Sequence, residues 1–202
     1  EFHHRDFNHY FVSSNLDEIA GLDAGVFYGW TRTGEDFRVG IPDARGRGFV
    51  PVCRFFGVGF APLSSHFYTP YPNECDVVNA DPKWSFEKIA FGLALPDAAT
   101  HGCPLGTRPL YRLWNRNQDG APNHRYTTSV AVRAGMLQRD WRPEGYGEAG
   151  VIACVPPWMS SPPAAVATSA GVICCSLSRE AEKSRVVCGT SNSSTMRPPL
   201  AS

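Results

Sequence analysis

The chain has 202 residues, 43% apolar and 12% aromatic, enough for a packed core in one or two domains. Lys plus Arg equals Asp plus Glu at 19 each and no basic run stands out, so the field that draws proteins to nucleic acid or anionic lipid is missing. No stretch approaches the roughly 20 apolar residues of a membrane span, and no leader is visible; the chain starts at Glu1 inside its first expected strand and reads as a fragment or processed product.

In chain order, the first segment (about 1–50) places an apolar run at Glu1-Phe2-His3 before His9-Tyr10-Phe11-Val12-Ser13. Asn15-Leu16-Asp17-Glu18 is a capping-box pattern ahead of Ile19 and Leu22, Gly25 marks the helix end, and Trp30 follows. The second segment (51–107) repeats the order. Val52 to Phe56 predicts a half-buried strand, Gly57 to Pro62 a turn, and Ser65 to Thr69 a second strand with His66 and Tyr68 on one face. Pro72-Asn73-Glu74 starts a short helix with Cys75 and Val78 on one side, and Trp84 opens a third strand through Phe91 and Leu93. The third segment (108–156) has Arg112-Leu113-Trp114, then His124-Arg125-Tyr126, then Ser129 ahead of Val132, Met136 and Leu137 at helical spacing, then Trp141. The histidines at 9, 66 and 124 lie 57 and 58 residues apart, and each is followed two places on by an aromatic (Phe11, Tyr68, Tyr126). Such a period predicts an α+β fold of three strand-strand-helix-strand repeats, each too small to bury its own faces, packed with pseudo-threefold symmetry. A β-trefoil, whose units lack helices, fits poorly.

After Cys154 the repeat is lost. From Val155 to Ser202 there are six prolines, ten serines and no Asp, so residues 157–202 predict a disordered or frame-shifted tail. The sequon Asn192-Ser193-Ser194 in this tail is a pattern only.

Cys53, Cys75, Cys103 and Cys154 lie in the repeats, with Cys174, Cys175 and Cys188 beyond them, and no C-x-x-C occurs. An even set without metal-type spacing predicts two disulfides and an oxidising compartment; of three possible connectivities we favour Cys53 with Cys75 and Cys103 with Cys154. Three histidines meeting on an axis would make a metal site, but nothing in the spacing demands it, and we expect no metal or other cofactor. His3 and His4 are expected on a frayed N-terminal strand.

The phrases HYFVSS, HFYTPY and HRYTTS, with VCRFFG and LYRLWN before them and GWTRTGEDF, WSFEKIAF and WRPEGYG after them, resemble a family of secreted bacterial repeats known as domain of unknown function 5648. The resemblance covers about residues 1 to 154. It implies an extracellular or cell-surface accessory module beside secreted hydrolases or surface proteins. It carries over His9, His66 and His124; Phe11, Tyr68 and Tyr126; Trp30, Trp84 and Trp141; and the acids Glu87 and Glu144. The first repeat has Thr33 where the acid is expected and Glu35 two places later.

Taken as a binding set, these aromatics would cover the C–H face of a sugar while His and Glu hydrogen-bond its hydroxyls. Taken as structure, the aromatics are core and each His–Glu is a buried pair holding two strands. No nucleophile elbow, zincin helix or P-loop is present, so no catalytic residue is assigned. The expected function is non-catalytic binding of polysaccharide or peptidoglycan. A hydrolase using a His/carboxylate pair in one diverged repeat, and a purely structural spacer, are the alternatives.

Overall fold

A computed structural model describes residues 1–43 and 48–157. The tail beyond Pro157, with its three cysteines and sequon, lies outside the described residues. The described chain is mixed α/β and mostly strands. Its elements are β1 (Phe2–His4), β2 (His9–Phe11), α1 (Leu16–Asp23) and β3 (Trp30–Arg32); β4 (Val50–Gly57), β5 (His66–Thr69), α2 (Pro72–Ala80) and β6 (Trp84–Leu93); and β7 (Arg108–Trp114), β8 (His124–Thr127), α3 (Val130–Gln138) and β9 (Arg142–Glu144), closed by β10 (Val151–Val155). The order strand, strand, helix, strand thus occurs three times.

In each unit the first strand is central and antiparallel to both neighbours: β2-β1-β3, β5-β4-β6, and β7 between β8 and β9. The N-terminal strand is therefore not frayed. Phe2 is buried, β1 pairs along its whole length with β2 and β3, and His4 is buried with it. Register aligns the units: Phe2 faces Phe11, Arg54 faces Tyr68 and Arg112 faces Tyr126.

Local chemistry explains the helix ends. Asn15 Oδ1 accepts from the N–H groups of Asp17 and Glu18, and Ser129 Oγ accepts from that of Val132. Gly25, at φ +72°, takes the left-handed turn that follows α1. Helix α2 has Pro72 at its first position, no side-chain cap and no buried residue. The Cys53–Cys75 disulfide pins it to β4, while Cys103–Cys154 ties the loop after β6 to β10; the Cα separations are 6.1 and 5.7 Å.

The core gathers Phe2, Phe11, Tyr68, Tyr126, Phe91 and Ile152 in one cluster and Tyr10, Tyr111, Leu113, Met136 and Trp141 in a second. Hydroxyl groups stitch the first cluster across units: Tyr126 donates to Tyr68 O at 2.8 Å, and Tyr68 donates to Val12 O at 2.6 Å. Strand β10 pairs β7 where β9 stops and bridges to Ala94, beyond β6. All five of its residues are buried. Unit one also touches unit three, through Asn123 Nδ2 donating to Phe7 O at 3.0 Å and Arg125 paired with Glu1 at 2.8 Å. Each unit therefore meets the other two, unlike an open stack. Among the described residues, no helix is long and apolar enough to cross a membrane.

Candidate functional site

Where successive units meet, one arginine lies between two carboxylates, and this happens twice. At the first junction Arg54, on β4, donates through both terminal nitrogens to Glu18 of α1 at 2.8 and 2.9 Å. Its Nε donates to Glu87 of β6 at 2.8 Å, and the same carboxylate lies 3.2 Å from His66 Nε2. At the second junction Arg112, on β7, donates to Glu74 of α2 at 2.9 and 2.7 Å. Its Nε sits 2.9 Å from Glu144 of β9, an ion pair whose N–H is not aimed at the oxygen, and Glu144 lies 3.3 Å from His124 Nε2. Both guanidinium groups also cover an aromatic ring, Arg54 over Phe11 and Arg112 over Phe67.

The sequence builds these clasps with the same parts. Each arginine stands twelve places before its histidine, and Glu18 and Glu74 both occupy the third helical position. There a glutamate usually folds back onto its own helix cap; here it reaches forward to the next unit's arginine. Lys88 and Ser13 add hydrogen bonds to Glu18.

Electrostatics fixes the charge states. Arg54 chiefly, with Lys88 and Ser13, lowers Glu18 to about 2 against the opposing effect of burial. Burial pushes Glu74, Glu87 and Glu144 upward, but the arginines and the histidine contacts outweigh it and all three end below the usual range. His66 and His124 are lowered, mainly by burial, with their glutamates opposing, so both are neutral at neutral pH. His9, wholly buried and next to His66, falls to about 2 through burial first and the neighbouring histidines second.

These states order a four-membered chain. Ionised Glu87 only accepts, so neutral His66 carries its proton on Nε2 and accepts at Nδ1 from His9 Nε2, 3.0 Å away; His9 Nδ1 then accepts from Ser64 Oγ at 2.8 Å. A histidine that stays neutral to about pH 2 is a weak base, so Ser64 is poorly placed as an activated nucleophile.

Most of the aromatics singled out by sequence are internal. Phe11, Tyr68, Tyr126 and Trp141 are buried, as are His9 and His124. Trp30 is half-buried, with His4 and His9 packed edge-on at 5.4 and 4.9 Å, and Trp84 is partly exposed beside Phe60 and Phe67. The three repeated histidines do not converge: His9 and His66 touch, while His124 packs on Phe67. Among the described residues, no group of three or more His, Cys, Asp and Glu is arranged to hold a metal. In unit one, Thr33 donates to Glu1, and Glu35 accepts from Thr127.

A cleft opens beside each clasp. The first, about 210 Å³, has Phe27 and Trp30 facing Arg54 and Glu87; the second, about 440 Å³, has Tyr71, Asn73 and Tyr146 around Glu74 and Arg112. A hollow of about 500 Å³ near Ser13, Asp36 and Phe37 shares no lining residue with either cleft, although Ser13 reaches Glu18 of the first clasp. Sequence reasoning missed Arg54, Arg112, Glu18 and Glu74 as a set, although their spacing repeats. It also missed Phe27, Tyr71 and Tyr146, which have no common period.

The clasps carry stability. Replacing Arg112 by Ala should cost about 2–3 kcal/mol, below the 3–5 of a fully buried pair because Glu74 and Glu144 keep about 30% exposure. Urea unfolding of the variant measures it, and an unchanged midpoint would show that the clasp contributes nothing.

No curated protein and no solved structure matches the chain. A family model described as "Domain of unknown function (DUF5648)" matches residues 2–151, and with its repeated His-aromatic phrases and clasped junctions inside that span, the chain belongs to this family.

Proposed function

We propose that the chain is a non-catalytic extracellular module that binds carbohydrate or cell-wall polymer as an accessory to a secreted enzyme or surface protein. Its three units would be arranged with approximate threefold symmetry. The observation that carries this reading is that both clasped junctions are built alike and each opens a cleft with an aromatic wall. Repeated weak sites on one rigid body gain avidity on a polymer, whereas an active site needs unlike groups brought together once. Two disulfides are compatible with an oxidising, extracellular setting.

The hydrolase alternative would use a His–Glu pair in one diverged unit. In both such pairs the glutamate is bound to an arginine and the histidine is neutral; they differ in that His66 also meets His9, while His124 Nδ1 has no hydrogen-bond partner among the described residues. A spacer would need no cleft.

Retention of the full chain on insoluble polysaccharide and on purified peptidoglycan tests the reading. Trp141→Ala would report on folding, because Trp141 is core. Phe27 is 52% exposed on the wall of the first cleft, so Phe27→Ala should weaken retention about threefold to tenfold with little change in melting temperature. Polymer turnover by the wild type, abolished in a folded His66→Ala variant, would overturn the binding reading.

A further inference from the structure

Two hollows share one rim on the far side of the second clasp. The cleft of about 440 Å³ and a neighbouring hollow of about 240 Å³ are both lined by Tyr71 and Tyr146, and the smaller adds Leu95, Asp97 and His101. Tyr146 contacts the other two rings, its plane tilted 56° to Tyr71 and 21° to His101. Tyr71 and Tyr146 are 5.4 Å apart between centroids, and His101 lies stacked on Tyr146 at 6.0 Å.

The rings are held before any ligand arrives. Tyr71 donates its hydroxyl to Ile152 O at 2.9 Å, which holds the far end of the ring in place. Tyr146 sits in a tight loop closed by paired backbone bonds with Val151. At Gly145 a Cβ would stand 2.4 Å from Gly150 O, so the loop closes only with glycine there. Gly147, at φ +66°, approaches His101 so closely that a Cβ would lie 3.1 Å from its ring. The Cys103–Cys154 disulfide anchors the loop that carries His101. Tyr146 nevertheless remains 45% exposed.

Charge narrows the ligand. Arg112 is the cation of the larger cleft, and it is already shared between Glu74 and Glu144. Asp97 adds a further carboxylate in the smaller hollow; its Oδ1 holds its own turn through Ala99 and Thr100, and the group faces water. The groove is thus net negative, which repels uronate or phosphate polymers. Carboxylates and the Asn73 amide do accept hydrogen bonds from uncharged hydroxyl groups.

We infer that the Tyr71–Tyr146–His101 ridge is a stacking platform for a neutral glycan whose adjacent sugars occupy the two hollows. Aromatic faces cover the C–H faces of pyranose rings, and Tyr146 is the exposed ring of the three. The inference rests on the binding-module reading and adds the place and the ligand class.

The test is affinity electrophoresis of the full chain in gels containing hydroxyethylcellulose, a galactomannan or polygalacturonate. We expect retardation by a neutral polymer and none by polygalacturonate. Tyr146→Ala should weaken that retardation about tenfold, the loss of one exposed aromatic anchor, and Tyr146→Phe should retain it. Circular dichroism confirms the fold of each variant; should Tyr146→Ala unfold, Asp97→Ala and His101→Ala serve in its place, each expected to weaken binding. Binding that survives Tyr146→Ala, or that prefers polygalacturonate, overturns the platform while leaving a binding module in place. No binding to any neutral or wall polymer removes both.

Discussion

Removing the Cys103–Cys154 bridge should lower stability by about 4 kcal/mol, and removing Cys53–Cys75 by about 3, values set by the 51- and 22-residue separations they close. For a domain of this size that is a fall of roughly 6–16 °C in melting temperature for either bridge. The local consequences differ. Helix α2 buries no residue and lacks a side-chain cap, so without Cys53–Cys75 little besides the Glu74–Arg112 ion pair keeps it on its sheet. Its amide protons should then exchange far ahead of those of β4. Cys154 sits in the fully buried β10, so its loss loosens the seam between the second and third sheets as well as the loop after β6. Urea unfolding of Cys→Ala pairs under oxidising conditions measures both effects. An unchanged midpoint in the Cys103→Ala, Cys154→Ala double variant would refute the stabilisation.

Acidification should begin to destabilise the protein from about pH 6.5 downward, above the pH at which exposed carboxylates titrate. His9 falls from an ordinary value of 6.5 to about 2 in the folded state. Below pH 6.5 the unfolded chain therefore binds a proton that the native chain refuses, and stability declines by about 1.4 kcal/mol per pH unit until about pH 2. At pH 4.5 that is about 3 kcal/mol from His9 alone. His66 and His124 are lowered too and act in the same direction. Glu18, lowered from 4.5 to about 2, adds its own loss as pH falls from 4.5 toward 2, as the clasp around Arg54 is neutralised. Unfolding midpoints should drop steeply below pH 6. His9→Gln should flatten the part of the curve between 6 and 4.5, and a midpoint that rises on acidification would contradict these assignments.

The sequence period was sufficient to place the elements because each unit carries its own punctuation: Asn15 and Ser129 as caps, Pro72 at a helix start, and a tryptophan at the opening of a strand. Cysteine number and the absence of metal spacing point to two disulfides, and the favoured pairing of the three possible is the one found. What escaped was whatever lies between units. Val151 to Val155 is apolar throughout, so alternation gives no sign of a strand buried on both faces. The buried states of Tyr68, Tyr126 and Trp141 depend on which faces the units turn toward one another, and periodicity does not encode that. Glu18 reads as a capping-box residue and Glu74 as part of a helix start, because their partners are 36 and 38 residues away. The exposed ring surface was hidden for a different reason: Phe27, Tyr71 and Tyr146 sit at non-equivalent positions, which a repeat period does not mark.

The clasp has a direction. The helix of one unit presents its acid to the central strand of the next unit, Glu18 to Arg54 and Glu74 to Arg112. The third helix has Val132 at that position and no acid in its first turn, and the strand that would receive from it carries Phe2 where the others carry arginine. A further unit grafted behind the third would bring an arginine with nothing to hold it, and one inserted ahead of the first would offer its acid to a phenylalanine. The joint therefore works as a one-way connector: the first unit carries only its acid, the third only its arginine and the second both, so units exchanged between positions would leave joints unpaired.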